Sequence, residues 1–172
     1  IEEALGFFFF IYIRILRTMI NRQELIDVIH HALEGTDRFL VEVKVSADNV
    51  IEVLIDSMDS VTIDHCIALN DAVLSHFDRD VEDYELTVGS YGISDPFKVV
   101  QHYLKNVGGE VEVLTKAGKK LKGTLKEASD EEFVLTVTKK VKLEGKKRPE
   151  MVDEDLHFTY DEIKYTKNII QF

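Results

Sequence analysis

The chain of 172 residues carries one cysteine, Cys66, which excludes an internal disulfide and any all-cysteine metal cluster and fits a reducing compartment. It lacks an apolar run long enough to span a bilayer. Leu5–Leu16 covers 12 residues with Arg14 inside it, where a spanning helix needs about 20. That stretch also lacks the flanks of a secretory signal, because Glu2 and Glu3 stand where positive charge belongs and no A-x-A site follows. Basic residues are in the minority. Lys and Arg total 21 against 32 Asp and Glu, and the net charge of −11 argues against a uniformly basic nucleic-acid coat. The six histidines form no H-x-x-x-H or H-E-x-x-H pattern, and there is no Walker-type glycine loop and no catalytic triad to assemble. No metal, cofactor or catalytic residue is therefore expected.

What is present suits a folded protein. Hydrophobic residues make up 45 % of the chain, enough for a packed core, and the length allows one large domain or two small ones. The charge is unevenly spread. Residues 19–97 hold 17 acids and 4 bases, whereas residues 98–148 hold 7 acids and 13 bases. A step of this size near residue 97 points to two domains with different partners. Met19 stands directly before a helical pattern, so translation is expected to start there. Residues 1–18 then form an extraneous or disordered leader, the alternative being a membrane-associating one. The intact mass of the native protein distinguishes them.

Residues 19–92 read as helix, strand, strand, helix, strand. Ile26, Ile29 and Leu33 share a helical face, and Gly35 stops the helix. Phe39, Val41, Val43 and Val45 alternate with Leu40, Glu42 and Lys44; Ala47-Asp48-Asn49 is a turn; Ile51, Val53 and Ile55 alternate again. Ser60 or Thr62 can cap a second helix with the stripe Cys66, Leu69, Val73 and Phe77, and Tyr84, Leu86 and Val88 form a third strand. The expected domain is α+β, a three-stranded sheet with two helices on one face.

Residues 93–172 read as a short helix on Phe97, Val100, Leu104 and Val107, closed by Gly108-Gly109, and then five short strands forming a small closed β-barrel. The Ala117-Gly118 pair marks a turn and Gly123 a bend or bulge. Residues 139–155, with little apolar pattern, are expected to form a long mobile loop.

The acidic α+β half, the junction Val88-Gly89-Ser90-Tyr91-Gly92-Ile93-Ser94-Asp95-Pro96-Phe97 and the Gly-Gly-led barrel together resemble the ribosome maturation factor family RimP. The resemblance runs from Met19 to Phe172. The stretch with Val111, Val113, Gly118, Gly123 and Leu125 is similar to that family's Sm-like fold. At the junction, where the family usually reads V-S-S-P-G-L and then P-L, Ser90, Gly92 and Pro96 match, and Asp95 stands where a basic residue is common. The resemblance implies a non-enzymatic, cytoplasmic, monomeric assembly factor. It implies binding to the free small (30S) ribosomal subunit through 16S ribosomal RNA and a small-subunit protein near the decoding centre. The alternative is an Sm-like RNA-binding or RNA-chaperone module that acts independently of ribosomes.

The candidate RNA-binding residues are Lys139, Lys140, Lys142, Lys146, Lys147 and Arg148, extended by Lys116, Lys119, Lys120 and Lys122, since neutralised phosphates release counterions. A soluble loop is the plainer reading of the same run. No aromatic platform accompanies it in the sequence, so sequence-specific reading of single strands is not expected. Asp78, Asp80, Glu82 and Asp83 are candidates for meeting a basic protein partner; a solvated loop is the plainer reading, and EF-hand spacing is absent. Ser90, Gly92 and Pro96 form the interdomain junction, Gly92 being expected to supply a positive φ. His65 and Cys66 are adjacent on a helix and diverge by about 100°, which suits a structural cysteine better than a Cys–His nucleophile.

Overall fold

The computed structural model describes residues 20–81, 83–141 and 150–170. These fall into two compact units divided between Tyr91 and Gly92. Among the described residues no helix is long and apolar enough to cross a membrane.

In the first unit, helix α1 (Arg22–Leu33) precedes strands β1 (Arg38–Val45) and β2 (Val50–Ser57), helix α2 (Ile63–His76) and strand β3 (Glu85–Ser90). Asn21 caps α1 by accepting from the Gln23 and Glu24 N–H groups, and Gly35, at φ +71°, ends it. Thr62 caps α2 in a capping box in which the His65 ring nitrogen Nδ1 accepts the Thr62 N–H. His65 is thereby a capping residue, and Cys66 packs half-buried against the core. The sheet order is β1-β2-β3, with β1 antiparallel and β3 parallel to β2. The α2 crossover is what a parallel pair requires. Ile51, Val53 and Ile55 point to one face and meet Leu25, Ile29 and Leu33 of α1 and Leu69 and Val73 of α2. Both helices thus cover one face, and each such buried side chain contributes roughly 1.5–3 kcal/mol.

Strand β1 departs from strict alternation. A bulge between Leu40 and Glu42 leaves Val41 as the extra residue, so Leu40 lies opposite Ile55 and joins Val43 and Val45 against the core, while Phe39 lies opposite Asp56. One inserted residue moves everything before it to the other face.

The second unit contains helix α3 (Val100–Lys105), strands β4 (Glu110–Thr115), β5 (Lys120–Ala128), β6 (Glu132–Val141) and β7 (Glu150–Thr159), a 3₁₀ turn (Tyr160–Glu162) and strand β8 (Ile163–Asn168). Its sheet is wholly antiparallel in the order β7-β6-β5-β4-β8. The core is Tyr103, Val111, Val113, Leu121, Leu125, Phe133, Leu135, Val137 and Ile163.

Four expectations are corrected here. The sheet is not closed: β7 and β8 stand at its two ends with no ladder between them among the described residues. The described parts of the stretch read as a loop, residues 139–141 and 150–155, are paired strand, in which Lys139 pairs with Val152 and Lys140 with Met151. It is built on cross-strand polar pairs, Thr138 Oγ1 donating to Asp153 (2.7 Å) and Lys139 bridging to Glu154, which an apolar pattern does not reveal. Helix α3 buries His102 and Tyr103 and leaves Leu104 and Val107 exposed. With six residues it turns one face inward, and that face is set by Tyr103, whose hydroxyl donates to Thr166 Oγ1 (3.0 Å). Gly123 does not bulge; the register shift lies between Leu125 and Glu127. Glycine is needed there because an added Cβ would lie 2.2 Å from the Thr136 carbonyl oxygen. The Gly118 turn is present at φ +84°.

Candidate nucleic-acid interface

Period-two alternation sorts the charges of the second sheet. The face opposite the core carries Glu110 and Glu112 on β4, Lys120, Lys122 and Glu127 on β5, Glu132 and Lys140 on β6, Asp153 and Asp155 on β7, and Tyr165 and Lys167 on β8, as the residue pairings place them. Glu112 is the centre of this group. Its carboxylate lies 2.8 Å from Lys120 Nζ and 3.8 Å from Lys122 Nζ, and it accepts the Tyr165 hydroxyl at 2.9 Å. The Lys120 hydrogen bond holds the Glu112 carboxyl below the usual carboxylate range, helped by Tyr165 and by the charge of Lys122, and it raises Lys120 in return. Lys167 Nζ sits 5.6 Å from the centre of the Tyr165 ring. One carboxylate therefore serves two ammonium groups, a local surplus of one positive charge.

The sequence candidates distribute unevenly over this geometry. Lys139 and Lys140 point to opposite faces; Lys139 is tied to Glu154 and only Lys140 shares the face of Lys120. Lys116 and Lys119 are exposed in the β4–β5 turn, with the charge of Lys116 helping to lower the Asp161 carboxyl. That turn lies at the same sheet end as Lys140, because β5 and β6 are antiparallel. Lys142, Lys146, Lys147 and Arg148 lie outside the described residues. Lys126 is engaged by Asp155 at 2.5 Å, and this bond lowers the Asp155 carboxyl, seconded by Thr136 Oγ1. Tyr165 and Lys167 were absent from the sequence reading. Simple alternation does not flag them, because the register shift at Leu114/Thr115 lets Ile163 face the core while Tyr165 and Lys167 face away from it.

The other candidates have local roles. Asp78, Asp80 and Asp83 are exposed between α2 and β3, Asp78 Oδ1 accepting the Asp80 N–H (2.9 Å), while Glu82 lies outside the described residues. No cluster of three metal-capable side chains occurs among the described residues. Ser90 ends β3 opposite Ile55. Gly92 does not have the expected positive φ. A Cβ there would lie 2.5 Å from an Asp95 carboxylate oxygen, which an exposed side chain can relieve by turning away. Pro96 leads half-buried towards α3.

Fold and sequence define a two-unit α+β protein, acidic in the first unit and close to neutral in the second, with Lys120 and Lys122 gathered at Glu112 on its sheet. The family model for the RimP N-terminal domain matches residues 28–94. The chain is 38 % identical over 152 residues to the ribosome maturation factor RimP of Porphyromonas gingivalis, covering 88 % of this chain and all of that protein. It is 30 % identical over 86 residues to the RimP of Christiangramia forsetii, covering 50 % of this chain and 56 % of that one. The RimP of Flavobacterium psychrophilum is 29 % identical over 102 residues, covering 59 % of this chain and 66 % of that one. The chain belongs to the ribosome maturation factor RimP family.

Proposed function

We propose that the chain is a ribosome maturation factor that acts without catalysis in the cytoplasm, binding the free small (30S) ribosomal subunit as a monomer. The observation that carries this reading is 38 % identity along the full length of a relative named as a ribosome maturation factor. The division of charge supports it. Lys120 and Lys122, gathered at Glu112, suit 16S ribosomal RNA phosphates, and the acidic loop of Asp78, Asp80, Glu82 and Asp83 suits a basic small-subunit protein. The proposed domains are 19–92 and 93–172, a residue from the division between Tyr91 and Gly92. An Sm-like assignment of the second is supported by its last strand, β8, returning to pair with its first, β4. The junction residues Ser90, Gly92 and Pro96 set the link between the domains.

Co-sedimentation with purified free small subunits and with complete ribosomes, at low and moderate salt, tests the reading. Binding to free subunits alone is the expected result. Equal binding to both, or to any added RNA, refutes it in favour of a general Sm-like RNA binder.

A further inference from the structure

We propose that the outer edge of strand β3, together with the apolar flank of α2 beside it, docks an extended basic segment of a protein partner, which joins the first sheet as an added strand. This deepens the ribosomal reading and rests on it for the choice of a basic protein as partner.

The two edges of the first sheet differ. The β1 edge is interrupted by the bulge at Val41 and carries Arg38 and Lys44, devices that keep a foreign strand from pairing. Residues 86–90 of β3 hold no charge, no proline and no register shift. The Glu85 N–H donates to the Asn49 carbonyl and the Tyr91 N–H to the Ile55 carbonyl. Successive residues of a strand aim their amides at opposite edges. Glu85, Thr87 and Gly89 therefore serve the ladder with β2, while Leu86, Val88 and Ser90 turn N–H and C=O outward. No other strand pairs with β3 among the described residues.

The side chains at this edge are incompletely covered as well. Leu86 and Val88 face the core beside Ile51 and Val53, yet they are half-buried where those two are fully buried. Helix α2 turns His76 towards α1, 3.2 Å from Glu24. Ile63, Ile67 and Leu74 stand on its opposite flank, about 140–180° around the axis from His76. Ile63 is 79 % exposed and Ile67 51 %. The Tyr84 hydroxyl donates to the Phe77 carbonyl at 2.8 Å, tying the end of α2 to the start of β3. An added strand would cover this flank and the sides of Leu86 and Val88 together.

Charge selects the occupant. From Ile63 to Ser90 the chain has seven acids and one base, Arg79, which sits over the Tyr84 ring at 5.2 Å. Asp64 and Asp71 are exposed on α2 beside Ile67, and Glu85 is exposed on the open face of β3. A segment alternating apolar and basic residues fits both sides: apolar side chains turn to α2, basic ones to the open face, and the main chain bonds along β3. A second copy of this edge would set like charges against each other.

The test is fluorescence anisotropy on the full chain with a labelled eight-residue peptide of alternating valine and lysine, with serine–lysine and valine–glutamate peptides as controls, and amide exchange of the complex by NMR. The valine–lysine peptide is expected to bind and to slow exchange at Leu86, Val88 and Ser90. Ile63→Ser combined with Ile67→Ser is expected to weaken it about tenfold, with circular dichroism checking the fold. Should that variant unfold, the exchange pattern of the wild type decides. Failure of the valine–lysine peptide to bind overturns the proposal. So does a serine–lysine peptide bound as tightly, with no slowing at those three amides, which would reduce the edge to charge attraction. A dimer in light scattering that the double variant dissociates would assign the edge to a second copy. Peptide binding only after removal of residues 1–18 would assign it to that segment. Either result overturns the proposal. Subunit co-sedimentation separates this from the broader reading. Wild-type binding to free subunits, with the double variant neutral in both assays, removes the edge site alone, whereas flank-dependent peptide binding without subunit binding removes the ribosomal role alone.

Discussion

Asn49 is 2 % exposed, and replacing it with alanine should loosen three parts of the first unit at once. Its side chain accepts the Ile20 N–H at 3.2 Å and donates to the Asp83 carbonyl at 3.2 Å, and its own carbonyl accepts the Glu85 N–H at 3.1 Å. It thus ties the approach to α1 and the approach to β3 to the β1–β2 turn. Alanine leaves the Ile20 N–H without its partner in a site only 3 % exposed, a cost of roughly 1–3 kcal/mol. The Asp83 carbonyl belongs to an exposed residue and can rehydrate, adding about 0.5 kcal/mol at most. Asn49 also holds φ +58°, where alanine pays about 1 kcal/mol more than asparagine. The expected loss is about 2–4 kcal/mol. Asn49→Gly removes the same hydrogen bonds without the backbone term and should lie about 1 kcal/mol above the alanine variant. The chain has two units, so a single melting curve is ambiguous. Native-state hydrogen exchange resolves them: β1–β3 amides should lose protection while β4–β8 amides keep theirs. Equal stabilities for Asn, Gly and Ala, within about 0.5 kcal/mol, would falsify the reasoning.

Gly123→Ala forces a Cβ to 2.2 Å from a backbone oxygen of β6, so β5 and β6 must part, at about 1–3 kcal/mol or more; exchange protection on those strands reports it, and unchanged protection refutes it. The Asp155 carboxyl is held low by Lys126 and Thr136, so the stability it contributes is present above the ordinary carboxylate range and is lost as pH falls through its depressed value. Lys126 is raised by the same bond, which places the window of full effect between the two. Acid titration followed by circular dichroism should therefore show a flatter acid limb for Asp155→Asn than for wild type. Glu112→Gln removes the carboxylate shared by Lys120 and Lys122 and should tighten RNA binding and steepen its salt slope by up to about 0.7; weaker binding in a folded variant would show that Glu112 orders the lysines more than it neutralises them.

The elements that were legible in the sequence are those whose signals are local. Thr62 caps α2, and Leu69, Val73 and Phe77 follow at helical spacing because one face is buried and the other wet. Gly35 and Gly118 mark turns through positive φ. What was missed depended on pairing. The Val41 bulge is set by what Leu40 and Val43 face across the strand, and Gly123 is fixed by a carbonyl on a neighbouring strand. The paired ends of β6 and β7 were read as a loop because they are held by Lys–Glu and Thr–Asp pairs and not by apolar alternation. The same holds for the candidate site. Of the lysine run, the pleat separates Lys139 from Lys140, and the sheet gathers Lys120, Lys122, Tyr165 and Lys167 from strands far apart in sequence.

Net charge is for this reason a poor guide to what the protein binds. From Met19 to Tyr91 the chain has 16 acids and 4 bases, while from Gly92 to Phe172 it has 14 acids and 15 bases, close to neutral. In a nearly neutral unit, position decides where local surpluses fall. Asp153, Glu154 and Asp155 on β7 bond Thr138, Lys139 and Lys126, whereas Glu112 is shared by Lys120 and Lys122. The acidic first unit repels any polyanion, yet in physiological salt a field decays over about 8 Å. The RNA contact proposed above would then act at short range, through lysines 2.8 and 3.8 Å from Glu112 and a third 5.6 Å from the Tyr165 ring. RNA affinity should accordingly follow substitutions at these few positions and be nearly indifferent to charge changes in the Asp78–Asp83 loop, whose reversal should weaken only the encounter with a basic protein.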